Sequence, residues 1–509
     1  MKKILSICVC TAMLSLASCS SDFLDLSPQN NSNEGTFFKT EDQFTQALNG
    51  AYNGLRTLSA RQGYLMGEMR SDNTHYTRYN TDRGIHILYR ENIADFIVDN
   101  QNQWVGEMWN GCYSGIARCN TLIGRLENAG LSESFTSKTI GQAKFMRALF
   151  YFQLVQCFGG VPLYLTEVTS SDNAFLGRST VEEVYAQIIA DADEAISKLA
   201  PVSFPQNGAA TQGAARMLKA YALMTMPNRD YAGAEAQLKE VMNDGYELLP
   251  NYADVFDPSK KNGKESIFDI QYQMGDQGQQ SDWLYYFMPK TQEGEMITGV
   301  PISNTMLTGG WNVPTPAMIA SYEEGDLRVD PSIAVAVGKD DNGLLIVEGV
   351  YKVGDPAIAN YETAIPFVNK YRHQHTKTEN TDDNWPVFRY ADALLLMAEC
   401  LVEQNRAGEA AQYVNQVRAR AGLPAVSVVT ADVVANERKH ELAFENHRWY
   451  DLVRTGKAID VMTEYGKYIK TVDKDLPDRT YQIKQEYLLY PIPYRELQIN
   501  SLLTPNPGY

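Results

Sequence analysis

Apolar residues recur every three or four positions along most of the chain, the spacing of helices that bury one face. Val181, Val184, Tyr185, Ile188, Ala192, Ala195 and Leu199 form one such stripe. Ser179 or Thr180 can cap its start, with Glu182 or Glu183 three residues on, and Pro201 follows its end. Leu394, Met397, Ala398 and Leu401 form a second stripe. A helix running to Phe158 meets Gly159-Gly160 and then Pro162, a Gly-then-Pro stop. Two places read as helical hairpins. One is the Ala-rich stretch 213–226 with a second helix opening at Tyr231; the other is 390–402 with a helix through Ala410 and Val414. Small residues there let paired helices approach closely. A lone hairpin cannot bury its apolar face, so several must stack, which predicts a mostly α fold on a tetratricopeptide-like scaffold.

Between about 245 and 385 the period changes. Phe268, Ile270 and Tyr272 alternate with Asp269 and Gln271, a strand pattern. Asn342-Gly343 stands between the apolar runs 333–337 and 344–347, which reads as a β-hairpin turn. Gly, Pro and Gln are frequent here. The stretch predicts a loop-rich insertion with short β-hairpins, and such loops commonly carry function.

The first residues form an address. Lys2 and Lys3 precede a short apolar run, residues 4–16, that ends in Leu16-Ala17-Ser18-Cys19. A spanning helix needs about 20 apolar residues, so this run fits a signal peptide instead. The ending resembles a bacterial lipobox, in which cleavage precedes a cysteine that is then lipidated. More than one acyl chain on Cys19 would make anchoring stable. Residues 20–40, rich in Ser and Asn, read as a tether. Of seven cysteines, Cys112, Cys119, Cys157 and Cys400 lie beyond the address without metal-type clustering, and read as small buried hydrophobes.

Charge and motif chemistry remove several functions. A formal net charge of −17 repels polyphosphate, and no basic run offsets it, so nucleic acid is not an expected partner. His440 and His447 are seven apart, where a zinc protease needs a spacing of four. His373 and His375 have no third ligand in view, and Asp340-Asp341-Asn342-Gly343 lacks the closing Glu of a calcium loop. No metal or cofactor is expected. Glycoside hydrolysis needs two carboxylates at a fixed separation, and among 62 acidic residues no pair stands in a special setting. Glu437, Glu441 and Glu445, at steps of four, could be bridged by Arg438, Arg448 or Arg454 in a structural network.

An ordered set of motifs runs the length of the chain. It begins with FTQALNGAYNGL (44–55), RALFYFQLVQCFGGVPL (147–163) and residues 211–215. GGWNVPTPAMIASYEEGDLR (309–328) and FRYADALLLMAEC (388–400) follow. NQVRARAGLP (415–424), ERKHELAFENHRWYDLVRTG (437–456), Pro491-Ile492-Pro493 and Asn506-Pro507-Gly508-Tyr509 complete it. Together they resemble the SusD/RagB family of outer-membrane nutrient-binding lipoproteins. Pro505 departs from the family's usual Gln before Asn-Pro-Gly-Tyr. The resemblance implies an α-helical, SusD-like fold on the cell surface, lipid-anchored to the outer membrane. It implies a SusC-type TonB-dependent transporter as partner, an oligosaccharide ligand (a peptide in one branch), and no catalysis. A secreted helical glycosidase is the remaining alternative. The division expected is signal peptide 1–18, lipidated tether 19–40, N-terminal helical region 41–244, ligand-binding insertion 245–385 and C-terminal region 386–509.

A sugar ring has an apolar face that lies flat on an aromatic ring, while its hydroxyls need polar partners. Trp104, Trp109 and Trp449 fall on apparent helices and Trp385 just before one, so packing is their expected role. Trp283 and Trp311 fall in the insertion. The expected platform is Trp283 and Trp311 with Tyr76, Tyr79, Tyr285 and Tyr286, and Asp72, Asn73, Arg78 and Asn312 supply hydrogen bonds. In the family, the early loop and the central insertion commonly line the ligand site.

The address carries its own test. Cys19→Ala should abolish incorporation of radiolabelled acyl chains and release the protein from membranes with its fold intact; acyl label on the variant would refute the lipobox.

Overall fold

The computed structural model describes residues 37–80, 83–291, 293–301 and 308–509; the address and Cys19 lie outside them. The helices are α1 (Glu41–Gly54), α2 (Ile85–Ala94), α3 (Gln103–Leu126), α4 (Glu133–Phe158), α5 (Val181–Lys198), α6 (Gln212–Thr225) and α7 (Tyr231–Asn243). After the insertion come α8 (Tyr390–Glu403), α9 (Ala407–Arg420), α10 (Ala431–Glu441), α11 (Arg448–Arg454), α12 (Ala458–Val472) and α13 (Tyr494–Ile499).

Helices α3 to α7 pack each on the next, and α8 packs on α7, α9 and α10, so the two hairpins read from sequence are neighbours in one stack. Local signals explain the ends. Thr180 and Glu183 form a reciprocal capping box on α5. Gly159 ends α4 at φ 71°, a value glycine adopts without strain. Buried Ala214, Ala215, Ala391 and Ala398 let the helices lie close. The four cysteines 112, 119, 157 and 400 are reduced and buried in this stack. Among the described residues no helix is long and apolar enough to cross a membrane.

Short strands decorate the stack. They are β1 (Thr74–His75), β2 (Ser266–Ile270), β3 (Val313–Pro314), β4 (Ile333–Asp341), β5 (Leu344–Lys352), β6 (Thr363–Val368) and β7 (Trp385–Arg389). β1 pairs with β3, β2 pairs with β7, and β5-β4-β6 form an antiparallel sheet. Asn342 and Gly343 turn β4 into β5 with φ of 53° and 86°, as the Asn-Gly signal requires.

The insertion is fastened to the stack by buried charge. Arg389 donates to Glu445 at 2.7 Å, to Glu265 at 3.1 Å and to Glu441. Arg420 pairs with Glu265 and Glu441, and Arg328 with Asp326, Glu437 and Glu441. Lys370 adds a bond to Glu445 at 2.6 Å. Burial raises the cost of ionising Glu441, but Arg420, Arg389 and Arg328 outweigh it and hold the carboxyl well below the usual range. The network is structural, but its pairing differs from the sequence reading. α10 ends at Glu441, so Glu445 does not continue its face. Arg438 goes to Asp392 and Asp451, Arg448 to Asp72, and Arg454 to Glu399 and Asp451.

Removing one member leaves its partners charged and dry. Glu441→Gln should cost about 3–5 kcal/mol in urea unfolding, whereas Lys467→Ala, which breaks an exposed pair with Glu464, should leave the midpoint unchanged.

Candidate functional site

The residues expected to form an open platform are mostly enclosed. Trp283 opens the five-residue helix Trp283–Phe287, whose side chains are all buried. Its ring meets Tyr272, Trp385 and Tyr371 with centroids 4.8, 4.9 and 5.2 Å away, and its Nε1 donates to the Ser59 carbonyl at 2.8 Å. Tyr285 is wholly buried under the β4-β5-β6 sheet, its hydroxyl 2.6 Å from His375 Nε2. These two are packing residues: a loop-like composition concealed a short helix wedged between the sheet and the stack.

The polar candidates brace the backbone. Asp72 binds Arg448 at 2.7 Å and Lys439 at 3.0 Å; burial opposes its charge, but these cations hold the carboxyl well below its usual range. Asn73 donates to Glu68 at 2.9 Å, and Asn312, at φ 52°, accepts from the Thr74 hydroxyl at 2.6 Å. Tyr76 donates to Asp95 at 2.7 Å and stacks on His75. Arg78 lies 3.7 Å from Asp473. Tyr79 accepts from the Lys290 backbone N–H at 3.1 Å. Its ring lies against Gly310, where a Cβ would come within 2.6 Å of the Tyr79 hydroxyl, so only glycine fits. Asp72, Tyr76 and Tyr79 are taken up by these contacts, whereas Asn73 Oδ1, Arg78 Nε and Asn312 Nδ2 are buried without a hydrogen-bond partner among the described residues.

Tyr286 and Trp311 do come together, and Trp104 joins them. Ring centroids are 5.2 Å apart for Tyr286–Trp311 and 5.8 Å for Trp104–Trp311, both edge to face. The Trp311 backbone N–H donates to the Tyr286 carbonyl at 2.9 Å, which fixes the pair. Beneath, Arg90 sits 5.0 Å from the Trp311 ring and Tyr64 packs at 6.4 Å. Above, the half-exposed Arg61 lies 4.3 Å over the Tyr286 ring, donates to its hydroxyl and faces Asp282 at 3.7 Å. Exposed His86 and Glu107 flank Trp104, whose indole nitrogen donates to the His86 carbonyl at 3.4 Å. Burial pushes the Glu107 and Glu379 carboxyls upward, and the Arg61 charge acts on both.

The three rings are each only 6% exposed, so the cluster offers ring edges beneath a half-exposed guanidinium with carboxylates around it, an arrangement that suits a ligand with apolar faces and many hydroxyls once Arg61 is displaced. The sequence reading placed Trp104 among packing residues. Asn102, which caps α3, was the missed signal: it puts Trp104 in the first turn, at the end of the stack that faces the insertion. Arg61 carried no signal at all. Among the described residues no three potential metal ligands cluster. His373 is taken up by Asp383 and His375 by Tyr285.

Two family models match this chain. One, described as starch-binding associating with outer membrane, matches residues 22–221. The other, the SusD family, matches residues 348–509. A SusD-like protein, P25, of Formosa agariphila is 28% identical, the match covering 95% of this chain and 94% of that protein. The starch-binding protein SusD of Bacteroides thetaiotaomicron is 24% identical over 75% of each chain. The solved structure of a laminarin-binding SusD-like protein superposes with a TM-score of 0.73 at 26% identity, covering 92% of this chain and all of that one. With the same helical stack, small sheets and ordered motifs, the chain belongs to the SusD/RagB family.

Proposed function

We propose that this protein captures a glycan at the cell surface and hands it to a SusC-type TonB-dependent transporter without altering it. The observation that carries the reading is the Trp104–Tyr286–Trp311 cluster beneath Arg61 and Asp282, where the loop-rich insertion and the N-terminal helices bring ring edges up to a charged, partly exposed rim. The named ligands of the relatives, starch and laminarin, support a neutral polysaccharide as the ligand class. In this reading Cys19 is the membrane anchor, residues 20–40 are the tether, and residues 245–385 supply one wall of the site. Trp311 and Tyr286 contact the sugar, Arg61 swings aside and donates to hydroxyls, and Asp72, Asn73, Tyr76, Arg78, Tyr79 and Asn312 hold the wall in place.

Calorimetric titration against starch, laminarin and other polysaccharides, with chromatography of the products, tests this. Binding without new products is expected. Trp104→Ala and Tyr286→Ala should each weaken binding by about 1–3 kcal/mol, and each should also lower Tm, since both rings are only 6% exposed. Trp283→Ala should instead cost about 3–5 kcal/mol of folding free energy, because its ring fills the core. Unchanged affinity in both well-folded site variants would move the site elsewhere. Saturation by peptides but by no glycan would favour peptide capture, and product formation that survives repurification would favour an enzyme.

A further inference from the structure

A cavity lies apart from the aromatic cluster. It has a volume of about 630 Å³ and lies along the flank of α3, closed by the segment after α4 and by α13. That volume is within the range of about 300–1,000 Å³ typical of small-ligand sites. Trp104 and Trp109 both sit on α3. Five residues of helix separate them by about 7.5 Å along the axis and about 140° around it. The cavity therefore opens on a different side of the helix from the Trp104 cluster.

Its walls combine rings with unused polar groups. Tyr113 and Tyr164 meet edge to face at 5.8 Å, and Trp109 packs against Tyr113 at 5.0 Å. These rings are fixed from behind: the Tyr113 hydroxyl donates to the Pro162 carbonyl and the Tyr164 hydroxyl to the Ala174 carbonyl, both at 2.9 Å. Asn110, Ser114 and Arg495 also line the cavity, are exposed, and have no side-chain partner among the described residues. Burial pushes the Glu496 carboxyl upward, and the carboxyl takes a hydrogen bond from Trp109. Among the described residues of the lining, Arg495 is the one cation and stands beside Glu496, while the lining carboxylate Glu167 is paired with Arg125, so the lining does not select a charged ligand. Fixed ring edges, free amide, hydroxyl and guanidinium donors, and near-neutral charge fit a neutral polyhydroxylated chain.

We propose that this cavity is a second carbohydrate subsite, one that takes a few sugar units of the same polysaccharide held at the Trp104 cluster. The choice of ligand class rests on the proposed function; the existence of the subsite rests on the cavity. Two contacts on one chain would raise the avidity for long polysaccharide well above that for a short oligosaccharide.

Native gels cast with starch, laminarin, xylan or mannan, run with wild type, Trp104→Ala, Ser114→Trp and the double variant, test this. Ser114 is exposed on α3, so a tryptophan there fills the cavity without disturbing the core. An Asn110→Ala/Arg495→Ala protein removes donors without adding bulk, and thermal melts check that every variant is folded. On a matrix that retards the wild type, Ser114→Trp and Asn110→Ala/Arg495→Ala should each weaken retention by about tenfold, and Ser114→Trp/Trp104→Ala should migrate as on a plain gel. Wild-type retention in both cavity variants on every matrix would overturn the subsite while leaving the proposed function standing. Free migration of the wild type on all four matrices, with no glycan bound in the calorimetric panel, would overturn both.

Discussion

Carboxylates and guanidiniums that never meet bulk water hold this molecule in register. A buried charge without a partner costs several kcal/mol, so every partner must arrive for the fold to close. Those partners come from distant parts of the chain: Glu265 just before β2, Arg328 ahead of β4, Arg389 at the end of β7, Arg420 at the end of α9 and Glu441 at the end of α10. Apolar packing tolerates sliding. A set of bidentate charge contacts does not, and this set permits one docking of the insertion on the helical stack.

The same constraint reaches the candidate site. Lys439 and Arg448, just beyond the network, pin Asp72. The Thr315 hydroxyl donates to the Asp72 carbonyl, and the Thr315 backbone N–H to the Asn73 carbonyl. Thr74 then bonds Asn312, which adjoins Trp311. Hydrogen bonds and short stretches of chain thus link the buried charges to the Trp311 ring of the candidate site. Residues read from sequence as hydroxyl binders act here as the brace behind that ring.

What sequence could and could not convey follows from the range of each interaction. The α5 capping box, the Gly159 stop and the Asn342-Gly343 turn are local, made by residues within four positions of one another, and each was legible. Helical stripes announced the stack, and the ordered motifs named the family. Trp283 and Tyr285 were misread because their burial depends on Ser59, Trp385 and His375, between 90 and 224 positions away. Arg448 and Arg438 were assigned nearby glutamates because proximity in sequence was the only guide. Arg448 instead reaches Asp72, far away in the chain, and Arg438 divides between the distant Asp392 and the nearer Asp451. Trp104 was hidden by the stripe it belongs to, since a helix pattern tells which residues turn inward but not what meets the helix end.

The two ends of the described chain clasp each other. The Tyr490 hydroxyl donates to the Met66 carbonyl across 424 positions, Arg70 to the Tyr487 carbonyl across 417, and Asn506 to the Phe158 carbonyl across 348. Contacts of such separation give a high contact order, which slows folding because long loops must close before any of them is rewarded. The helical hairpins can form early and locally. The segment that carries Trp311 is locked only when positions near 440 to 490 are in place, so the candidate site is completed late, and a fragment ending before α10 would keep most of its helical stack without the contacts that brace Trp311.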